Sequence, residues 1–270
     1  MERDPFDRDQ GGGSDVGRDF ERDYGDEPPP AIRDAAPDYL APIDDSAPVS
    51  GHVPPPAATS SLAETPEHDW ERASGLVYPA FRPVGTQGEA IESFDLMAAT
   101  ADGRSHTQPL VDEGPAGLPV VYALDAGAFD VIVSGDHLRT WGIGPAELQD
   151  AAMRNLATWS ASAPWTDEIS GERRLVSSDT GDGWDAARIL LPDVVDHLIR
   201  ELAPHGRVLI GLPERHLLVA GSLRPNDDEF AALFADFVLE TSGGADEPVD
   251  RRVFELAGGR LVEFAGIAAP

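Results

Sequence analysis

The sequence of 270 residues contains no cysteine and no lysine, since all twenty of its basic residues are arginine. Without a thiol the chain has no cysteine nucleophile, no redox pair, no iron–sulfur cluster and no cysteine-ligated zinc. Without a lysine amine it lacks a Schiff-base cofactor site, the phosphate-binding lysine of a P-loop and the strand lysine of protein kinases. These two absences exclude several classes of enzyme.

Positive charge is also scarce. Twenty arginines stand against 49 acidic residues, which gives a formal net charge of −29, and both the first 72 residues and the remainder are acidic. Because nucleic acids and anionic membranes bind basic surfaces, we expect neither as a partner. The segment MERDPFDRDQ is acidic where an export signal is basic and then apolar, and apolar runs are too short for a bilayer. The sequence therefore predicts a soluble, cytoplasmic protein.

Large apolar side chains are few in residues 1–72, which contain thirteen of them together with eleven prolines. Burying thirteen such side chains stabilises a fold by roughly 20–40 kcal/mol. Ordering 72 residues costs about 70–140 kcal/mol. We therefore predict a disordered acidic arm over residues 1–72, followed by a single domain over residues 73–270.

The arm contains one internal repeat, because the tetrad that begins at Phe6 (FDRD) recurs almost unchanged at Phe20 (FERD). An aromatic residue among alternating charges is typical of a short docking motif that orders on a protein partner, and two copies raise the avidity. The repeat also fits sequence drift in an unstructured tail. Binding of a protein partner through Phe6 and Phe20 is thus a hypothesis.

Beyond the arm, the apolar pattern predicts hairpins over residues 120–133, 208–220 and 252–264. Helices are predicted to begin near Pro145 and Pro192, and after a cap at Asn226. The apolar side of the last helix is predicted to consist of Phe230, Leu233, Phe234, Phe237 and Val238. Hairpins joined by helices, without the regular alternation of single strands and helices, indicate an α+β domain. We expect a mainly antiparallel sheet built from hairpins, with helices packed on one face.

Four segments between Leu76 and Phe264 carry a recognisable pattern. They are Val77-Tyr78-Pro79 with Arg82, Tyr122–Asp125, Gly181–Leu190, and the Pro213 hairpin with Leu217–Ala220. In these segments the chain resembles the YtpQ-like bacterial proteins, a domain family of unknown function. It departs from them at His216, where the family usually has a carboxylate, and over residues 84–118. The resemblance implies the same α+β fold and no particular reaction.

The Gly181–Leu190 segment also contains the densest polar cluster. Asp179, Asp182 and Asp185 surround two glycines, but the spacing is not that of an EF-hand loop. Our interpretation is a glycine turn in which Asp182 bends the chain, Asp185 caps the next helix and Arg188 pairs with a nearby acid. Contact with a ligand or a metal stays an alternative.

His216 is predicted at a hairpin tip next to Glu214 and Arg215, where a neighbouring acid raises the proton affinity of the imidazole. The chain has no histidine pair at helical metal-binding spacing and no G-x-S-x-G nucleophile motif. We therefore predict no cofactor and no metal.

The leading hypothesis is a non-catalytic protein-binding or adaptor domain whose acidic arm recruits a partner. The alternative is a carboxylate-dependent hydrolase, with or without a metal, built on Asp182, Asp185, Arg188 and His216. The oligomeric state is left open. The candidate residues for binding a ligand or partner are Asp182, Trp184, Asp185, Arg188, Arg215, His216, Phe6 and Phe20.

Overall fold

A computed structural model of the chain describes residues 66–127 and 129–266, so Phe6 and Phe20 lie outside the described residues. The strands are β1 (Val77–Phe81), β2 (Glu89–Ala90), β3 (Leu110–Glu113), β4 (Pro119–Asp125), β5 (Asp130–Ile132), β6 (Thr166–Ser170), β7 (Arg173–Ser178), β8 (Arg207–Glu214), β9 (Leu217–Leu223), β10 (Val253–Ala257) and β11 (Arg260–Glu263). The helices are α1 (Trp70–Ala73), α2 (Leu96–Asp102), α3 (Gly135–Trp141), α4 (Pro145–Ser162), α5 (Pro192–Leu202) and α6 (Asp228–Gly244).

The first sheet is centred on the apolar strand β4. Its order is β1-β4-β3-β2, and β5 also pairs with β4. All of these pairs are antiparallel except β2 with β3. Tyr122 and Leu124 of β4 pack in one core with Leu138 of α3 and Leu148 of α4. One face of the first sheet therefore packs against α3 and α4.

The second sheet has the order β11-β10-β8-β9-β7-β6, with every pair antiparallel. Successive side chains of a strand point to opposite faces. Ile210 of β8 accordingly packs in the core that contains Leu198 of α5, whereas Leu209 packs in the core that contains Phe234 of α6. The second sheet thus has a helix on each face.

The predicted α+β class and the predominance of antiparallel pairing are confirmed. The strands form two sheets where the sequence predicted one, and helices cover both faces of the second sheet. The reason is that β8 and β9 are apolar on both faces, so each face requires a covering layer. No helix within the described residues is both long enough and apolar enough to cross a membrane.

The helix starts agree with the sequence at two positions and differ at a third. Helices α4 and α5 begin at Pro145 and Pro192, as predicted. The predicted cap at Asn226 is wrong, because Asp227 is the N-cap of α6 and its carboxylate accepts a hydrogen bond from the Phe230 amide at 3.2 Å. Asn226 instead has a left-handed backbone with φ of 63°.

Residues before position 73 already contact the domain. The ring of Trp70 in α1 lies 5.2 Å from that of Trp141 in α3, and Trp141 Nε1 donates a hydrogen bond to the Glu67 carbonyl at 2.9 Å. The proposed boundary between residues 72 and 73 stays a prediction. A truncated protein that preserves these contacts must keep all residues from Pro66 onward.

Helix α6 lies directly against a glycine of the second sheet. A Cβ atom at Gly211 would come within 2.5 Å of Val238 Cγ2 and 2.8 Å of Val219 Cγ1. We expect Gly211→Ala to lower the free energy of unfolding by about 1–3 kcal/mol through overpacking, measured by urea denaturation.

The matched control is Gly243→Ala at the end of α6, where an added Cβ would meet nothing within 4 Å. Since alanine favours helix over glycine, this variant should be unchanged or up to about 1 kcal/mol more stable. Equal losses in both variants would contradict the close packing of α6.

Candidate functional site

Asp185 is completely buried, and its carboxylate points back toward the end of β7. It accepts hydrogen bonds from the Ser178 hydroxyl, from the Thr180 amide at 3.2 Å and from the Thr180 hydroxyl at 2.8 Å. The prediction that Asp185 caps the following helix is wrong, because it makes no capping hydrogen bond to the helical turn at 186–190. The carboxylate instead fixes the turn that follows β7.

Arg188 is buried beside it, with 1% of its surface exposed. Its guanidinium donates to the Ser178 hydroxyl at 2.6 Å and the Ser160 hydroxyl at 2.9 Å, and it lies 3.8 Å from the ring centroid of Trp165. Burial lowers the pKa of Arg188 to about 10, although the charge of Asp185 opposes that change. The remaining contacts of the guanidinium are to the backbone carbonyls of Ser160, Ala163 and Pro164.

The predicted pairing of Arg188 with an acid is therefore indirect. The Ser178 hydroxyl donates to Asp185 and accepts from Arg188, so a neutral side chain connects the two buried charges. A buried charge is stable only where hydrogen bonds replace water. This buried Asp185–Ser178–Arg188 network holds the end of β7 against α4.

Trp184 connects the same turn to the start of the domain. It is 3% exposed, and its ring stacks on that of Tyr78 in β1 with the centroids 4.6 Å apart. The Arg215 guanidinium lies 4.5 Å from the Trp184 ring centroid, and Arg215 Nε donates to the Gly183 carbonyl at 2.8 Å. Trp184 is thus held by an aromatic contact and a cation–π contact.

Arg215 and His216, in the turn between β8 and β9, line a polar cavity of about 460 Å³ that we call the Arg215 cleft. Arg215 donates to Asp130 and, at 3.1 Å, to Glu247, which also accepts from Arg82 at 3.3 Å. His216 Nε2 lies 3.6 Å from Glu247 Oε2, and its buried Nδ1 has no hydrogen-bond partner among the described residues. Burial acts to raise the pKa of Glu247, but the two arginines bring it below its usual value.

The candidate residues therefore fall into three environments. Asp185, Arg188 and Trp184 are buried, Arg215 and His216 line the cleft, and Asp182 is exposed, accepting a hydrogen bond from Trp159 at 3.0 Å. Among the described residues, no three histidines, aspartates or glutamates are grouped so that they would hold a metal ion.

Sequence reasoning missed two acids of the cleft. Asp130 comes from β5 and Glu247 from the loop after α6, so no spacing pattern connects either of them to Arg215. Only the tertiary packing of distant segments brings these side chains together.

An apolar groove lies between α6 and the strands β6, β7 and β9. The cavity has a volume of about 470 Å³. The sequence predicted that Leu233 and Phe237 face inward, but they are 55% and 46% exposed. The residues that line this α6 groove are Glu168, Ser170, Arg173, Leu175, Ser177, Asp179, Leu217, Val219, Phe230, Leu233, Phe234 and Phe237.

The fold and its buried polar network define an α+β domain. Two proteins of Staphylococcus epidermidis strains, both named UPF0354 protein, are 25% identical to the chain over 115 residues, which are 43% of the chain and 39% of each relative. A UPF0354 protein of Listeria monocytogenes is 25% identical over 133 residues, or 48% of each of the two proteins.

These distant relatives carry the name of an uncharacterised family, and they confirm the resemblance to a YtpQ-like family of unknown function. The chain spans less than half the length of these curated relatives. No protein-family model matches the chain, and no solved structure shows a significant match.

The buried network makes Ser178 important for stability. We expect Ser178→Ala to lower the free energy of unfolding by about 1–3 kcal/mol, because Asp185 and Arg188 each lose a buried hydrogen-bond partner. Urea denaturation measures the change. Ser177→Ala is the neighbouring control, since Ser177 points to the opposite face, and a Ser178→Ala variant as stable as this control would contradict the bridging role.

Proposed function

We propose that the chain is a non-catalytic protein-binding or adaptor protein, in which the acidic N-terminal segment recruits a partner. The observation that carries the proposal is the complete burial of Asp185 and the near-complete burial of Arg188, two of the four residues on which the alternative hydrolase was built. In contrast, Leu233 and Phe237 are large apolar side chains left exposed. Exposed apolar patches with polar rims mark interaction surfaces.

The geometry of Asp185 supports a structural role. Its carboxylate already accepts three hydrogen bonds, and a substrate would have to displace buried side chains to reach it. Arg188 likewise donates to serine hydroxyls and backbone carbonyls of the protein itself. Buried groups satisfied in this way stabilise the fold, which favours a structural role for both residues.

The recruitment role of the N-terminal segment rests on the sequence. Phe6 and Phe20 begin two nearly identical tetrads in a segment rich in acid and proline. Short motifs of this kind bind by ordering on a partner, and repetition raises the effective concentration of the second copy. The cytoplasmic location and the lack of a cofactor likewise stay predictions.

A pull-down from the native cell extract tests the recruitment role. The truncation removes residues 1–65, because removal up to residue 72 would also delete Trp70 and its contact with Trp141. We expect the intact protein to recover a partner and the truncated protein to recover at least tenfold less. The double variant Phe6→Ala, Phe20→Ala should reproduce that loss without any truncation, and equal recovery by all three proteins would rule out the role.

The Arg215 cleft favours the alternative, a hydrolase that depends on a carboxylate. His216 Nε2 lies 3.6 Å from Glu247 Oε2, so the carboxylate would orient the imidazole as a base. Arg82 and Arg215 lie beside them and would stabilise developing negative charge. In this alternative the catalytic carboxylate is therefore Glu247 and not Asp185.

Turnover assays separate the two proposals. With p-nitrophenyl acetate and p-nitrophenyl phosphate, each with and without added Mg²⁺ or Mn²⁺, we expect no rate above the buffer. A clear rate that is abolished by Glu247→Gln but kept by Glu214→Gln, a change one residue before the turn, would support the hydrolase and overturn the non-catalytic proposal.

A further inference from the structure

Within residues 66–127 and 129–266, α6 leaves part of one face of the second sheet without a covering helix. It packs mainly over β8, β9 and β10 and contacts β7 through Arg173, whereas β6 continues the sheet to its edge. All five residues of β6 are exposed. Two strands about 4.8 Å apart span roughly 10 Å, which is the diameter of one α-helix. The uncovered face beside α6 therefore has the width of one additional helix.

The α6 groove forms the inner wall of this uncovered face. Leu233 and Phe237 of α6 face it from one side, and Leu175 of β7 is half-buried at its floor. The floor also contains polar residues, with Glu168 of β6 cross-strand from Leu175. Such a surface provides apolar anchor points, but it is polar enough to remain exposed when empty.

The charges around the groove are negative. Among the described residues that line the groove, Arg173 alone is a cation, and its guanidinium already donates to Asp227 and Glu229 at 2.7–3.0 Å. Neither Glu168 nor Asp179 forms an ion pair with another residue in the described part of the chain. Complementary charge sets the identity and orientation of a partner more than its raw affinity.

We propose that the α6 groove binds an amphipathic helix of a partner protein, with apolar anchors at helical spacing and basic residues on its flanks. This inference rests on the proposed function as a protein-binding protein, and it names the surface and the chemistry of the partner. The helix lies beside α6 over β7 and β6, and inserts its apolar stripe between Leu233, Phe237 and Leu175. A second copy of the chain is a poor occupant, because each copy has a net charge of −29.

The experiment titrates the full chain into a fluorescein-labelled 18-residue helical peptide and follows the anisotropy. One peptide has leucines at positions i, i+3, i+4 and i+7 with arginines on the flanks, and the other has glutamate in place of each arginine. We expect the arginine peptide to bind, and the glutamate peptide to bind at least tenfold more weakly. No binding, or equal binding of the two peptides, would overturn the proposal.

The acidic chain attracts any cationic peptide, so binding alone does not show that the peptide occupies the groove. Variants of the protein test the position of the peptide. Phe237→Ser should weaken binding at least tenfold, and Glu168→Gln should weaken it severalfold. The control is Leu239→Ser, since Leu239 is 50% exposed on α6 but does not line the groove. Binding that survives Phe237→Ser, or falls equally in both serine variants, would overturn the assignment.

Two further outcomes are informative. A dimer in sedimentation velocity that Phe237→Ser dissociates would identify a second copy as the occupant and contradict the cationic partner. If the peptide does not bind while partner recovery still depends on residues 1–65, the groove assignment fails and the proposed function stands.

Discussion

The most constraining interaction in the described part of the chain is the Ser178 hydroxyl between two buried charges. Arg188 and Asp185 lie in the interior, where an ion loses its hydration and must regain equivalent hydrogen bonds from the protein. Ser178 serves both of them, and the carbonyls near the end of α4 complete the coordination of the guanidinium. The turn after β7, and with it the position of Trp184, follows from that arrangement.

Arg215 has a corresponding role between the sheets. It is placed by the β8–β9 turn of the second sheet, yet it donates to Asp130 in β5 of the first sheet and contacts Trp184. Because each of these partners comes from a different segment, one side chain constrains three parts of the domain. The cleft in which His216 lies is a consequence of this bracing, and its geometry depends on Arg215 more than on His216.

The sequence predicted much of the fold but little of the site. Turn residues and alternating apolar patterns identified the principal hairpins and the starts of α4 and α5, since those signals are local. Strand β6 was missed because Thr166–Ser170 is mostly polar, as an exposed edge strand is. The pattern also grouped Leu233 and Phe237 with the buried face of α6, because periodicity gives a direction but does not show whether another element lies there. Asp185 was predicted as a helix cap, but its inward orientation depends on Ser178 and Thr180, which no helix-capping rule takes into account.

The outermost strand, β6, has a consequence for handling the protein in solution. No other described strand pairs with its outer edge, so backbone groups there are available to other chains, and the charge of Glu168 opposes that contact at neutral pH. The sequence isoelectric point is about 4.3, so mild acidification removes the mutual repulsion between molecules. Purification and storage well above that pH should keep the edges apart, whereas acidic crystallisation conditions favour sheets that join from one molecule to the next.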